Sequence, residues 1–253
     1  MPFPSVFLAL ILAMTQSPVA SPLVRGSLRC AGSETMVPLL GRWAAAFARL
    51  QPAATLQVLG GGSEGAVRAL VGGTTDIAAL SRGLEPGELD VLQRRFGEVR
   101  VLEVGRDTLR LLARRDGVAR QDPSRAALAF FPGISGVAWR GVGRLPSSGT
   151  RHEVLQMLGV RALDPQAIHL VSPVAVQLAL RHDPFLVGYG SAAGLLSDVR
   201  PVGPLFLERP LTLVVPLPAL RNPVVSRFLA FITSGEGRAI VRESGFATPG
   251  GGS

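Results

Sequence analysis

Three short apolar runs, each closing on a serine-bearing turn and separated by helical periodicity, fill the first third of the chain and constrain it most. Ser27–Ala31 is extended and runs into Gly32-Ser33-Glu34-Thr35. Met36, Leu39, Leu40, Trp43, Ala44 and Phe47 then recur at helical spacing, and Gln51-Pro52 ends the helix. Thr55–Leu59 alternates as a second strand, followed by Gly60-Gly61-Gly62-Ser63-Glu64-Gly65 and a helix over Ala66–Val71. Asp76–Leu80 is a third strand with Ser81-Arg82 at its end, and Glu85-Pro86 opens the next helix. A βαβαβ run of this spacing predicts parallel strands. Ser33, Ser63 and Ser81 then share the carboxyl edge of the sheet, where open α/β sheets bind ligands. Helix N-termini at that edge carry free N–H groups that attract anions.

Beyond this run, Val99–Val104 and Thr108–Ala113 read as two strands, the first stopping at Gly105-Arg106-Asp107. A second α/β region is expected up to about Pro204. It contains the loop Arg144-Leu145-Pro146-Ser147-Ser148-Gly149-Thr150 and a helix over Arg151–Leu158. A strand near Ile168–Val171, a helix over Val174–His182 and a strand over Leu186–Tyr189 follow. Leu211–Val215 forms another buried strand, and Pro223–Ile232 and Glu236–Ser244 are the closing helices.

Hydrophobic residues make up 47% of the chain and charged residues 17%, which supplies cores and argues against disorder. All 26 basic residues are arginine, and the net charge is +8. A GC-rich genome writes the same bias, but Arg also holds oxyanions in a planar fork. The arginines are scattered and aromatics reach only 6%, so no nucleic-acid module is expected. A single cysteine, Cys30, permits no internal disulfide. His152, His169 and His182 lie far apart, so neither metal nor cofactor is expected. Val6–Met14 has the length of a signal-peptide core and is too short to span a membrane. Residues 1–20 are therefore expected to be an export leader cut after Ala20, although no Arg or Lys precedes the apolar run.

Two motifs support more than one reading. Gly60–Gly62 makes a turn as readily as a binding loop, and it is neither a dinucleotide fingerprint nor a lysine-bearing phosphate loop. Thr150 with Glu153 fits a helix-capping box. The same Ser148-Gly149-Thr150 junction, with Arg144 nearby, fits an oxyanion site.

In order along the chain stand GSETM, GGGSEG, TTDIAALSR, R-x-x-x-S-G-T-R, VGYGS, RPLTLVVP and FLAFITSGEGRAIVRESGF. From about Leu28 to Phe246 this order resembles the phosphate-binding components of phosphate ABC transporters. The resemblance implies an α/β, two-lobed type II periplasmic binding protein, with two hinge strands and a ligand cleft between the lobes. Lobe 1 would comprise residues 24–108 and 205–249, and lobe 2 residues 109–204. It implies a periplasmic protein that passes phosphate, or a related tetrahedral oxyanion, to an ABC permease without catalysing a reaction; a monomer is the default expectation. Ser33, Thr35, Ser63, Ser81, Arg144, Ser148, Gly149 and Thr150 would contact the anion, with Arg144 as its ion pair.

Two positions depart from the family pattern. Ser81 stands where many members carry a proton-accepting Asp, which leaves Glu34 as a candidate acceptor. Pro146 replaces an acid that orients the Arg. The stretch Ala126–Arg140 is also abbreviated. An enzyme on this scaffold is disfavoured because no nucleophile–base pair is visible. A non-transport sensor or interaction protein that keeps the fold with a degraded site is the alternative.

Overall fold

The computed structural model describes residues 22–250 except 135 and 137. The leader expected over residues 1–20 lies outside the described residues. One eight-stranded sheet runs through the molecule in the order Ala54–Leu59, Gly26–Gly32, Ile77–Leu80, Val199–Pro216, Val99–Arg114, Leu186–Ser191, Arg140–Arg144 and Ile168–Leu170. Its first half is built by β1 (Gly26–Gly32), α1 (Val37–Leu50), β2 (Ala54–Leu59), α2 (Gly62–Val71) and β3 (Ile77–Leu80). Strand β1 pairs in parallel with both β2 and β3, as the βαβαβ run requires. Helix α2 starts four residues before its expected start, so Ser63 sits inside its first turn.

The second half contains β5 (Arg140–Arg144), α4 (Gly149–Leu158), β6 (Ile168–Leu170), α5 (Pro173–His182) and β7 (Leu186–Ser191). Between the two halves lie α3 (Pro86–Phe96), β4 (Val99–Arg114) and β8 (Val199–Pro216). The chain closes with α6 (Pro223–Ile232) and α7 (Gly235–Glu243).

Strands β4 and β8 correct the sequence reading. The two strands expected over Val99–Val104 and Thr108–Ala113 are one strand of 16 residues. The expected Leu211–Val215 is the end of a strand of 18 residues. The two pair antiparallel along most of their length, and one end of each belongs to each half of the sheet. Gly105-Arg106-Asp107 has the composition of a turn, but the structure places a register shift between Glu103 and Gly105, a bulge that bends the strand without stopping it. Pro201, Pro204 and Pro210 disguised β8, since proline cannot donate to a ladder. Opposite Pro210, Arg106 instead exchanges backbone bonds with Ala247.

Alternation along the strands sends side chains to both faces, and helices cover each face. On one face of the first half, Leu28, Cys30 and Leu213 pack with Trp43, Phe47 and Phe228. Ala31, Leu80 and Val214 face the other way, against Leu70 and Leu92. Trp43 is fully buried, stacks edge-on to Phe228, and donates its indole N–H to Gly237 O at 2.9 Å. The second half repeats the scheme around Leu111, Phe130 and Tyr189, and around Val142, Val176 and Leu180. The abbreviated Ala126–Arg140 stretch contributes Phe130 and Trp139 to that core. Burial and the neighbouring Asp76 push the Cys30 thiol up to about 12. No helix among the described residues is long and apolar enough to cross a membrane.

Candidate functional site

The carboxyl edges of β1 and β3 and the first turn of α2 bring three serines together. Ser33 Oγ donates to Ser81 Oγ at 2.8 Å, and Ser63 Oγ accepts from the Ser81 backbone N–H at 3.3 Å. All three are buried, at 3%, 0% and 0% exposure for Ser33, Ser63 and Ser81. The β1–α1 turn bends so that Ser33 Oγ also accepts from the Thr35 N–H. These groups come from one half of the sheet.

The other half meets them through the N-terminus of α4. A Cβ on Gly149 would collide with Ser63 Oγ and lie 3.3 Å from Ser81 Oγ. Only glycine allows that approach. Thr35 Oγ1 and Thr150 Oγ1 lie 3.3 Å apart and share a hydrogen bond. Gly62, at φ +76°, faces Ser147 O so closely that a Cβ would sit 2.6 Å from it. The helix starts at Gly149 rather than at the expected Arg151, and its N-cap is Ser148, not Thr150. The Thr150–Glu153 capping box is therefore not formed. Thr150 turns its hydroxyl to the cluster, and burial holds the Glu153 carboxyl above its ordinary range. Ser148 is buried at the N-cap and makes no side-chain capping bond.

Two arginines serve this region, and they do different things. Arg144, at the end of β5, donates to Glu34 Oε2 at 2.9 Å and to the carbonyls of Leu170 and Val171 at 3.3 and 2.8 Å. Its guanidinium is pulled below its ordinary value by burial, against the pull of Glu34. Glu34, rather than a residue at position 146, is the acid paired with Arg144. Its Oε1 also accepts from the Gly61 N–H, so the carboxylate is committed on both oxygens and does not stand as a free acceptor for a ligand proton.

Arg209 is the cation that reaches the hydroxyls. It lies on β8 directly opposite Asp107 of β4 and binds it through Nε at 3.0 Å and Nη2 at 2.7 Å. Its Nη1 donates to Thr150 Oγ1 at 2.9 Å, and Nη2 reaches Thr35 Oγ1 at 3.5 Å. Ser191 Oγ donates to the other Asp107 oxygen at 2.5 Å. The Arg209 and Asp107 side chains are 0% and 1% exposed.

Sequence reasoning did not single out Arg209, Asp107 or Ser191. Arg209 and Ser191 stood inside RPLTLVVP and VGYGS, but nothing in the one-dimensional order showed that they face each other across Asp107. Arg82, beside Ser81, is not in the cluster; it pairs with Glu88 at 2.7 Å. Tyr189 accepts from the Arg144 backbone N–H at 2.8 Å, and its ring lies so close to Gly143 that no Cβ fits there.

Helix N-termini, hydroxyls and a buried guanidinium converge between the two halves of an α/β sheet crossed by two long strands. A family model described as a PBP superfamily domain matches residues 17–192. The chain belongs to the PBP superfamily. Among curated proteins, the phosphate-binding protein PstS of Pseudomonas aeruginosa is 31% identical over 94 residues. That segment is 37% of this chain and spans 29% of the relative's length. Among solved structures, this superfamily member resembles a Clostridium perfringens substrate-binding protein assigned to phosphate ABC transport and solved with bound phosphate. The TM-score is 0.76 at 19% identity, covering 88% of this chain and 99% of that one. It also resembles an ABC-type phosphate transport receptor from Vibrio cholerae, with TM-score 0.68 and 19% identity over 88% of this chain and 100% of that one. At such identity the likeness describes the fold, which is that of type II periplasmic binding proteins.

Proposed function

We propose that this PBP-superfamily chain is an exported solute-binding protein that captures inorganic phosphate or a related tetrahedral oxyanion and delivers it to an ABC permease. Lobe 1, residues 24–108 and 205–249, and lobe 2, residues 109–204, close on the ligand as a monomer, with β4 and β8 as the hinge. The observation that carries this reading is the meeting of Ser33, Thr35, Ser63 and Ser81 with Gly149, Thr150 and Arg209. In the closed cluster the Ser33 and Ser81 hydroxyls bond to each other, as do those of Thr35 and Thr150, while Ser63 Oγ accepts from the Ser81 N–H. Each is both donor and acceptor, so each can exchange its partner for an anion oxygen when the lobes part. A guanidinium in a dry cleft supplies the charge that an enclosed anion needs. The matched relatives named for phosphate binding add weight to this ligand class.

Selectivity follows from the acceptors. Glu34 and Asp107 are each held by an arginine, and Ser81 offers a hydroxyl where a carboxylate would demand a proton from the ligand. The site then distinguishes protonated phosphate from sulfate poorly. Calorimetric titration of the purified chain with phosphate, arsenate, sulfate and molybdate is the test. Phosphate and arsenate are expected to bind, with sulfate within about tenfold, a difference of about 1.4 kcal/mol. Absence of heat with every one of these anions overturns the proposal.

A further inference from the structure

A cavity of about 370 Å³ opens against the hydroxyl cluster, between the two halves of the sheet. Its size lies in the range of small-molecule sites. Two residues belong to both regions. Thr35 bonds Thr150 and Arg209 and also lines the cavity, and Ser191 bonds Asp107 and lines it too. Thr35 and Ser191 therefore stand at the border between the cavity and the cluster.

Its walls are mostly apolar, formed by Pro38, Leu39, Leu112, Pro173, Val174 and Phe246. The polar groups along it are already engaged. Gln177 donates to Gly194 O and accepts from Leu196 N–H, and Ser172 Oγ caps α5 through Ala175 N–H. Tyr189 Oη holds the Arg144 N–H, and Glu34 holds Arg144 and Gly61. An occupant that needed hydrogen bonds beyond its anionic head would find few partners, whereas an apolar group loses nothing by entering.

We infer that the preferred ligand is an organic oxyanion, a phosphonate or phosphate monoester, whose tetrahedral head lies among Thr35, Thr150 and Arg209 and whose small apolar substituent fills this cavity. The inference rests on the oxyanion-binding reading and narrows its substrate class. Val174 lines the cavity and is 56% exposed, so a larger side chain there fills the space without disturbing a core.

The experiment compares phenylphosphonate, ethyl phosphate and inorganic phosphate by calorimetry on the full chain and on Val174→Trp. Phenylphosphonate is expected to bind at least tenfold tighter than inorganic phosphate. Val174→Trp should remove most of that advantage while changing inorganic phosphate affinity less than threefold, which also verifies that the variant is folded. If inorganic phosphate binds as tightly as phenylphosphonate, or Val174→Trp weakens both equally, the inference is overturned and the oxyanion reading stands. If none of the three binds, both fail.

Discussion

Arg209 joins the buried ion pair with Asp107 to the hydroxyls proposed to hold the ligand, and its replacement separates the two roles. In Arg209→Met the Asp107 carboxylate, 1% exposed, loses two charge-assisted bonds and keeps only Ser191. Removing one member of a buried pair costs about 3–5 kcal/mol, because the remaining charge is left without compensation. Against a total stability of about 5–15 kcal/mol this is a large loss. With a urea slope of about 2–3 kcal/mol/M, the midpoint should fall by about 1–2 M. The double variant Asp107→Leu/Arg209→Met removes both charges and should recover most of that loss, since buried pairs replaced by apolar residues are often neutral or stabilising. Phosphate binding should be lost in the single and double variants alike, because neither retains the cation that donates to Thr150. Urea unfolding followed by circular dichroism gives the first quantity, and calorimetry on the folded double variant gives the second. A double variant that is stable and still binds phosphate at wild-type affinity would refute the assignment of Arg209 to the ligand.

Two further outcomes are expected. Gly149→Ala places a methyl against Ser63 and Ser81 and should weaken phosphate binding at least tenfold by calorimetry while lowering stability by the about 1–3 kcal/mol of an overpacked contact; unchanged affinity would show that the lobes do not close through this contact. Burial holds the Glu153 carboxyl above its ordinary 4.5, so the folded state binds that proton more tightly than the unfolded chain. Its contribution is then full below pH 4.5 and declines as pH rises through the raised value. Glu153→Gln should gain in urea midpoint relative to wild type between pH 4 and pH 7, and a constant difference across that range would count against this account.

Much of the first half was legible in the chain. The Ser33, Ser63 and Ser81 turns follow apolar runs at βαβ spacing, and chain geometry alone puts such turns on one edge of a parallel sheet. Gly149 and Thr150 were legible as a helix start, although Ser148 took the cap and released Thr150 to the cleft. The long strands were not legible. A bulge at Gly105 and prolines at 201, 204 and 210 are local signs of interruption, and only pairing along the partner strand overrides them. Arg144 was visible as a cation beside a binding loop, but its committed partner, Glu34, lies 110 residues away.

By itself the sequence determined where polar turns interrupt apolar runs, and therefore which hydroxyls and amides share a sheet edge, because backbone periodicity and turn chemistry are local. Tertiary structure decided which guanidinium bonds to those hydroxyls. Asp107 and Arg209 become neighbours only when β4 and β8 pair in one register, and burial of that pair fixes the guanidinium against Thr150. Pairing between strands about a hundred residues apart is a property of the folded sheet, and no local pattern encodes it.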